Sequence, residues 1–229
     1  MPSHRERSQA PSGAASTLSA LAVVTLAIAI IHRPLRSDRL WTRYLVGHRL
    51  DWVTDAAAGF SSIISPLTAP IIAVVIGAVL ILRDRSVGRG LALVGAVIGS
   101  ASLTWILKLL IDRSRPPVEI QLEPPESAMS FPSGHASAAT ALAVSLAVLV
   151  APRAGRATRG ALVAAATIGA GLSAFSRVYL GMHWTSDAIA GFLVGAGAAL
   201  GASALLDRFG SVVVRIDEGC RLRGPGTSG

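Results

Sequence analysis

The chain has 229 residues, of which 52% are hydrophobic and 15% charged, with a formal net charge of +8 and a single cysteine, Cys220. This composition excludes an ordinary soluble globule, an internal disulfide and a cysteine-rich metal site, and the length allows one domain. Of the 21 basic residues, 20 are arginine, and they cluster at the ends of charge-free runs. That placement points to lipid headgroups and membrane orientation rather than to nucleic acid, so no nucleic-acid partner is expected.

Six stretches without Asp, Glu, Lys or Arg follow one another: 8–32, 56–82, 90–107, 127–152, 160–176 and 188–206. A helix of about 17–19 residues is roughly 26–29 Å long, close to the thickness of a bilayer core. The expected fold is therefore all-α, a six-span transmembrane bundle with spans near 14–32, 64–82, 89–110, 133–151, 159–178 and 184–206. Residues 1–13 are expected to form a cytoplasmic N-terminal segment, 14–206 the membrane domain, and 207–229, rich in Gly, Pro, Ser and Arg, a disordered cytoplasmic tail. The first run also fits a cleaved signal peptide, because Arg5 and Arg7 precede it; an uncleaved span is preferred.

The segment 34–51 is too polar to cross. Leu40, Trp41, Tyr44 and Leu45 recur at helical spacing beside Arg36, Arg39 and Arg43, which suits a helix lying in the interface; a solvated connector is the alternative. Trp52, Trp105 and Trp184 fall near span ends, as an aromatic belt places them. Orientation follows from arginine. The side holding loops 83–89 and 152–159 and both termini carries 12 basic residues against 9 opposite, and four of those 9 belong to the cluster below. The termini are thus expected in the cytoplasm and the cluster on the extracytoplasmic face of a cell membrane.

That cluster gathers at span ends. Lys108 stands near the end of the third span, with Arg113 and Arg115 just beyond. The fourth span opens on Ser133, Gly134 and His135; the fifth ends at Arg177; the sixth starts beside His183 and Asp187. Because successive spans alternate in direction, these positions share one face of the membrane. Each residue alone has a plainer reading. A lone arginine or lysine snorkels, Ser133 and Gly134 suit any helix start, and Asp187 is a span-end charge. Together they read as a functional pocket.

The stretches "KLLIDRSRP" (108–116), "PSGH" (132–135) and "SRVYLGMHWTSD" (176–187) resemble, in order, the three motifs of the type 2 phosphatidic acid phosphatase superfamily. The motifs cover residues 108–187, and the six-span layout, with the phosphatase core in spans three to six, extends the likeness over most of the chain. The resemblance implies an integral membrane lipid phosphatase similar to bacterial undecaprenyl-diphosphate phosphatases. It implies a covalent phosphohistidine at His183, and His135 as the group that protonates the leaving alkoxide and then activates water.

The residue chemistry fits that implication. His183 and Asp187 are four apart and share a helical face, so Asp187 can hold the Nδ1 proton and leave Nε2 nucleophilic. Lys108, Arg115 and Arg177 can surround the phosphoryl oxygens. Ser133 and Gly134 open a helix, a natural phosphate seat. Three cations do what a metal ion would do, so neither metal nor cofactor is expected. Candidate substrates are polyprenyl diphosphates, phosphatidic acid, phosphatidylglycerophosphate and lysolipid phosphates. A lipid phosphotransferase using the same site with a non-water acceptor is the alternative; a soluble vanadate haloperoxidase and a transporter fit the spans or the spacing less well. The stretch 116–130, with four prolines and three glutamates, reads either as a lid or as a stiff connector.

Overall fold

The computed structural model describes residues 32–83, 86–149 and 155–209. Apart from His32, the expected first span 14–32 lies outside these residues, as do the segment 1–13 and the tail from 210 onward with Cys220. The helices are α1 (Arg36–Gly47), α2 (Asp51–Ile63), α3 (Thr68–Leu82), α4 (Val87–Ile111), α5 (Gly134–Leu149), α6 (Arg156–Tyr179) and α7 (Thr185–Arg208). A 3-10 turn, Val118–Ile120, sits in the long connection between α4 and α5.

Helices α4, α6 and α7 are long and apolar enough to cross a bilayer. Helices α2 and α3 together make a fourth candidate, bent by 53° at their junction. The bend has a local cause. Pro66 cannot continue a helix, and the Ser65 hydroxyl accepts the Leu67 and Thr68 N–H groups at 3.2 and 3.1 Å, restarting the helix in a new direction. The expected span 64–82 thus begins at Thr68, and residues 51–63 form a helix of their own. Helix α5, with 16 described residues, is shorter and lies at the centre. The all-helical bundle stands with three to four candidate spans among the described residues, against six expected.

Lipid-facing and buried sides separate cleanly. Ile71, Val74 and Val75 on α3 and Leu91, Ile98, Leu109 and Leu110 on α4 are all more than half exposed, as side chains meeting acyl chains are. Inside, α5 packs on α7, α6 and α4. Gly191 and Gly195 of α7 lie against the carbonyls of Ser133 and Ser137, where a Cβ would overlap backbone. Small residues are what let two such helices approach this closely. Ala69, Ala73, Leu93, Val97, Ala138 and Leu142 fill the space between α3, α4 and α5.

The 34–51 segment does form a helix. Its buried face is Asp38 and Thr42, while Leu40, Trp41 and Tyr44 are each 55% exposed. Trp52 and Trp105 are exposed. Trp184 is not a belt residue: it is buried, and its indole N–H donates to the Ser114 carbonyl at 2.9 Å. That bond fastens the start of α7 to the segment following α4.

Candidate active site

Two backbone turns build the site. Helix α4 ends at Asp112, whose φ of 44° is left-handed; aspartate tolerates this conformation better than most residues. The chain then doubles back. Ser114 bridges to Met129, and the Ser130 N–H donates to the Arg113 carbonyl at 2.7 Å. The second turn follows α6. Gly181 has φ 74°, and a side chain there would strike the Ile120 carbonyl, so only glycine fits. The turn closes with the Met182 and His183 N–H groups both donating to the Arg177 carbonyl, at 2.9 and 3.2 Å. Arg49 braces it from outside, donating to the carbonyls of Tyr179 and Ile120 at 3.1 and 2.8 Å. Helix α7 then begins with Asp187 in its first turn, where its Oδ2 accepts the Trp184 N–H at 2.9 Å.

His183 therefore precedes α7 rather than sharing a helical face with Asp187. The turn at 180–184, not helical spacing, carries its ring over the carboxylate. His183 Nδ1 lies 3.6 Å from Asp187 Oδ2. Ser130 stands between them: its hydroxyl donates a short bond to Asp187 Oδ2 and sits 3.4 Å from His183 Nδ1. Asp187 Oδ1 accepts Arg113 Nη1 at 2.8 Å, with both side chains fully buried. The Arg113 guanidinium also lies 4.6 Å over the Phe131 ring.

On the other side of the His183 ring, Nε2 is 3.2 Å from Arg115 Nη1, which donates as well to the Met182 carbonyl at 2.7 Å. A guanidinium has only hydrogens to offer, so Nε2 is the acceptor and the ring proton belongs on Nδ1, facing Ser130 and Asp187. Burial, reinforced by the charges of Arg115, Lys108 and Arg177, pushes His183 well below the usual histidine range. Burial and the neighbouring Arg177 likewise lower Arg115, partly offset by Glu126 and Asp187.

The remaining expected residues fall around this centre. Lys108, buried near the end of α4, donates to the Met129 carbonyl at 2.7 Å. Arg177, near the end of α6, donates to Ser61 Oγ at 2.6 Å and makes a short ion pair with Glu123. Ser133, fully buried, precedes α5, and its N–H donates to the Asp187 carbonyl at 3.0 Å. Gly134 and His135 supply first-turn N–H groups, which have no intrahelical acceptor. His135 Nδ1 is 3.4 Å from Glu126 Oε1. Lys108, Arg115, Arg177, Ser133, Gly134, His135, His183 and Asp187 thus gather at one end of the bundle, with Arg115 and Arg177 within electrostatic reach of both Lys108 and His135.

The 116–130 stretch lies over that end. It takes one bond from each of three cations: Lys108 through the Met129 carbonyl, Arg115 through the Ser127 carbonyl at 2.7 Å, and Arg177 through Glu123. Ser130, Asp38, Glu123 and Glu126 were not singled out by sequence, and Arg113 was placed in the cluster without a role. Arg113 carried one signal, as a second arginine beside the first motif. Ser130 carried none, because its role depends on a bridge formed after folding.

A cavity of about 580 Å³ opens between α3, α4 and α5. Its walls include Pro66, Leu67, Pro70, Val97, Ala101 and Trp105. Val97, Ala101, Thr104, Trp105 and Lys108 mark one face of α4, so the apolar wall climbs roughly 16 Å to the lysine. Gly134, Glu126 and Ser127 close the same polar end.

With this geometry in place, the chain compares with known proteins as follows. A relative from Sulfolobus acidocaldarius, named an undecaprenyl-diphosphatase, is 33% identical over 123 residues, which are 52% of this chain and 55% of that protein. The chain thus spans about half the length of that curated relative. A phosphatidylglycerolphosphate phosphatase of Bacillus subtilis, described as a transmembrane PAP2-type protein, superposes with a TM-score of 0.76 at 24% identity, covering 84% of this chain and 96% of that one. Aquifex aeolicus LpxE superposes with a TM-score of 0.55 at 22% identity, covering 71% and 92%. These likenesses carry the fold and, with the apolar helices, a multi-pass membrane protein. The PAP2 superfamily matches residues 89–210, from the first turn of α4 to just past α7 and including all three motifs; the chain belongs to the PAP2 superfamily.

Proposed function

We propose that the protein is a membrane lipid phosphatase that hydrolyses a lipid phosphate monoester or diphosphate through a phosphohistidine on His183, without a metal ion. The observation that carries the lipid assignment is the 580 Å³ cavity: an apolar wall that ends at Lys108 and Gly134 suits a ligand with a hydrocarbon tail and an anionic head.

In this reading Lys108, Arg115 and Arg177 take the phosphoryl oxygens, helped by Ser133 and the first-turn N–H groups at Gly134 and His135. The His183 Nε2 lone pair attacks the terminal phosphorus while its bond to the leaving oxygen breaks, the lipid oxygen in a monoester or the bridging oxygen in a diphosphate. His135 gives that oxygen its proton. Water then attacks the phosphohistidine, His135 takes the water's proton, and the P–N bond breaks to release phosphate and restore Nε2. Ser130, Asp187 and Arg113 keep the His183 proton on Nδ1 throughout. The similar proteins include an undecaprenyl-diphosphatase and a phosphatidylglycerolphosphate phosphatase, which supports a lipid-phosphate class without choosing one lipid. The arginine distribution supports cytoplasmic termini and an extracytoplasmic site.

The test is phosphate release by purified protein in detergent with chelator, from undecaprenyl diphosphate, phosphatidic acid and phosphatidylglycerophosphate. Release that ranks these lipids and vanishes in His183→Ala supports the reading. Release that needs added metal, or none from any lipid phosphate, contradicts it.

A further inference from the structure

Asp38 is buried, although it belongs to the amphipathic helix α1, far in sequence from every motif. Among the described residues it forms no ion pair with a cation. Its Oδ1 accepts the Ser186 N–H at 2.9 Å, and its Oδ2 accepts the Ser186 hydroxyl at 2.7 Å and the Leu35 N–H at 2.9 Å. The Ser186 oxygen in turn accepts Arg113 Nη1 at 2.8 Å, and the same Nη1 reaches Asp187 Oδ1 at 2.8 Å. Asp187 presents its other oxygen to Ser130 and His183.

The hydrogens along this chain have one consistent direction. A carboxylate only accepts and a guanidinium only donates. Asp38 therefore draws the Ser186 hydroxyl proton to itself and leaves a lone pair facing Arg113. Without that acceptor the hydroxyl is free to turn its proton toward Arg113, two donors then meet, and Arg113 loses one of the bonds that aim it at Asp187. A buried network of this kind holds geometry only while each member is satisfied.

We infer that Asp38 is a positioning residue for the catalytic histidine: acting through Ser186, Arg113 and Asp187, it fixes the tautomer and aim of the His183 ring from a helix outside the three motifs. Asp38 touches no substrate. The inference rests on the proposed role of His183 as nucleophile, and its test includes a readout independent of turnover.

The experiment uses the full chain in detergent and compares wild type with Asp38→Asn, Ser186→Ala and the double variant. Two quantities are read: kcat and KM for a lipid phosphate per folded molecule, and the ring ¹⁵N shifts of His183, assigned by their loss in His183→Ala. We expect Asp38→Asn to lower kcat on the order of 10- to 100-fold with little change in KM. The double variant should be no slower than the worse single one, because both cut the same chain. The ¹⁵N shifts should move from an Nδ1-protonated ring toward a mixture of tautomers. A variant that folds less well but keeps kcat per folded molecule and an unchanged tautomer makes Asp38 a mere anchor for α1 and overturns the inference. Additive losses in the double variant overturn the route through Ser186. Should no variant turn over lipid, the proposed activity fails while the ring shifts still decide the role of Asp38.

Discussion

Arg113 Nη1 and Asp187 Oδ1 meet at 2.8 Å with both side chains closed to solvent. Neither charge has water to fall back on, so the pair is judged by what happens when half of it is removed. Cutting one partner of a buried ion pair costs about 3–5 kcal/mol, because the other is left charged and unpaired. Arg113→Ala is therefore expected to lower the unfolding free energy by about that amount, read by chemical denaturation in detergent. A change below about 1 kcal/mol, the range of exposed pairs, contradicts this account.

Glu123 occupies Arg177, a residue proposed to hold phosphate. The carboxylate must leave before a phosphoryl oxygen can enter. Glu123→Gln removes the competing charge, so inorganic phosphate or vanadate should inhibit about tenfold more tightly, a gain of about 1.4 kcal/mol. Inhibition curves on the two proteins decide it. Weaker inhibition in the variant would mean that Glu123 orients Arg177 rather than competing for it.

The cavity makes a prediction about chain length. Ala101 faces it from α4, eleven ångströms of helix rise short of Lys108 by the helical repeat of about 1.5 Å per residue. Ala101→Phe narrows the apolar part and leaves the polar end alone. KM for a long-chain lipid phosphate should rise about tenfold, while a short water-soluble phosphate ester should be hydrolysed as before. Equal effects on both substrates would separate the cavity from the lipid tail.

His183 is held below the usual histidine range, first by burial and then by Arg115, Lys108 and Arg177. The sign of its effect on stability follows. In the unfolded chain the ring takes a proton below about pH 6.5; in the folded protein it does not. The unfolded state binds more protons there, so stability falls as pH drops below about 6.5. His183→Ala removes that contribution. Between pH 7.5 and 5 the wild type should lose stability relative to the variant, by at most about 1.4 kcal/mol per pH unit. Parallel stability curves would mean that the ring titrates normally in the folded protein.

How much of this was legible in the sequence depends on the range of the interaction. Charge-free runs located α4, α5, α6 and α7 to within a few residues, because lipid imposes one composition on any helix that crosses it. The α2–α3 bend was not legible as a bent pair: Pro66 marks a break, but whether two helices share a span depends on packing. The three motifs brought Lys108, Arg115, Arg177, His135 and His183 into one group, since each sits where its own helix begins or ends. Contacts across loops were not legible. Ser130 reaches Asp187 only after Ser114 pairs with Met129. Asp38 reaches Ser186 across 148 positions. Trp184 had the look of a belt residue because sequence shows that a tryptophan stands near a span end but not which way it turns.

The central claim is a covalent bond between phosphorus and His183, and the most direct measurement is to trap it. Purified protein is mixed with a lipid phosphate labelled with ³²P at the terminal phosphoryl group and quenched in alkali within milliseconds. The account predicts protein-bound label that is stable in alkali, lost in acid and absent from His183→Ala. Label that persists in His183→Ala, or phosphate release by the wild type with no bound label at any quench time, would contradict it.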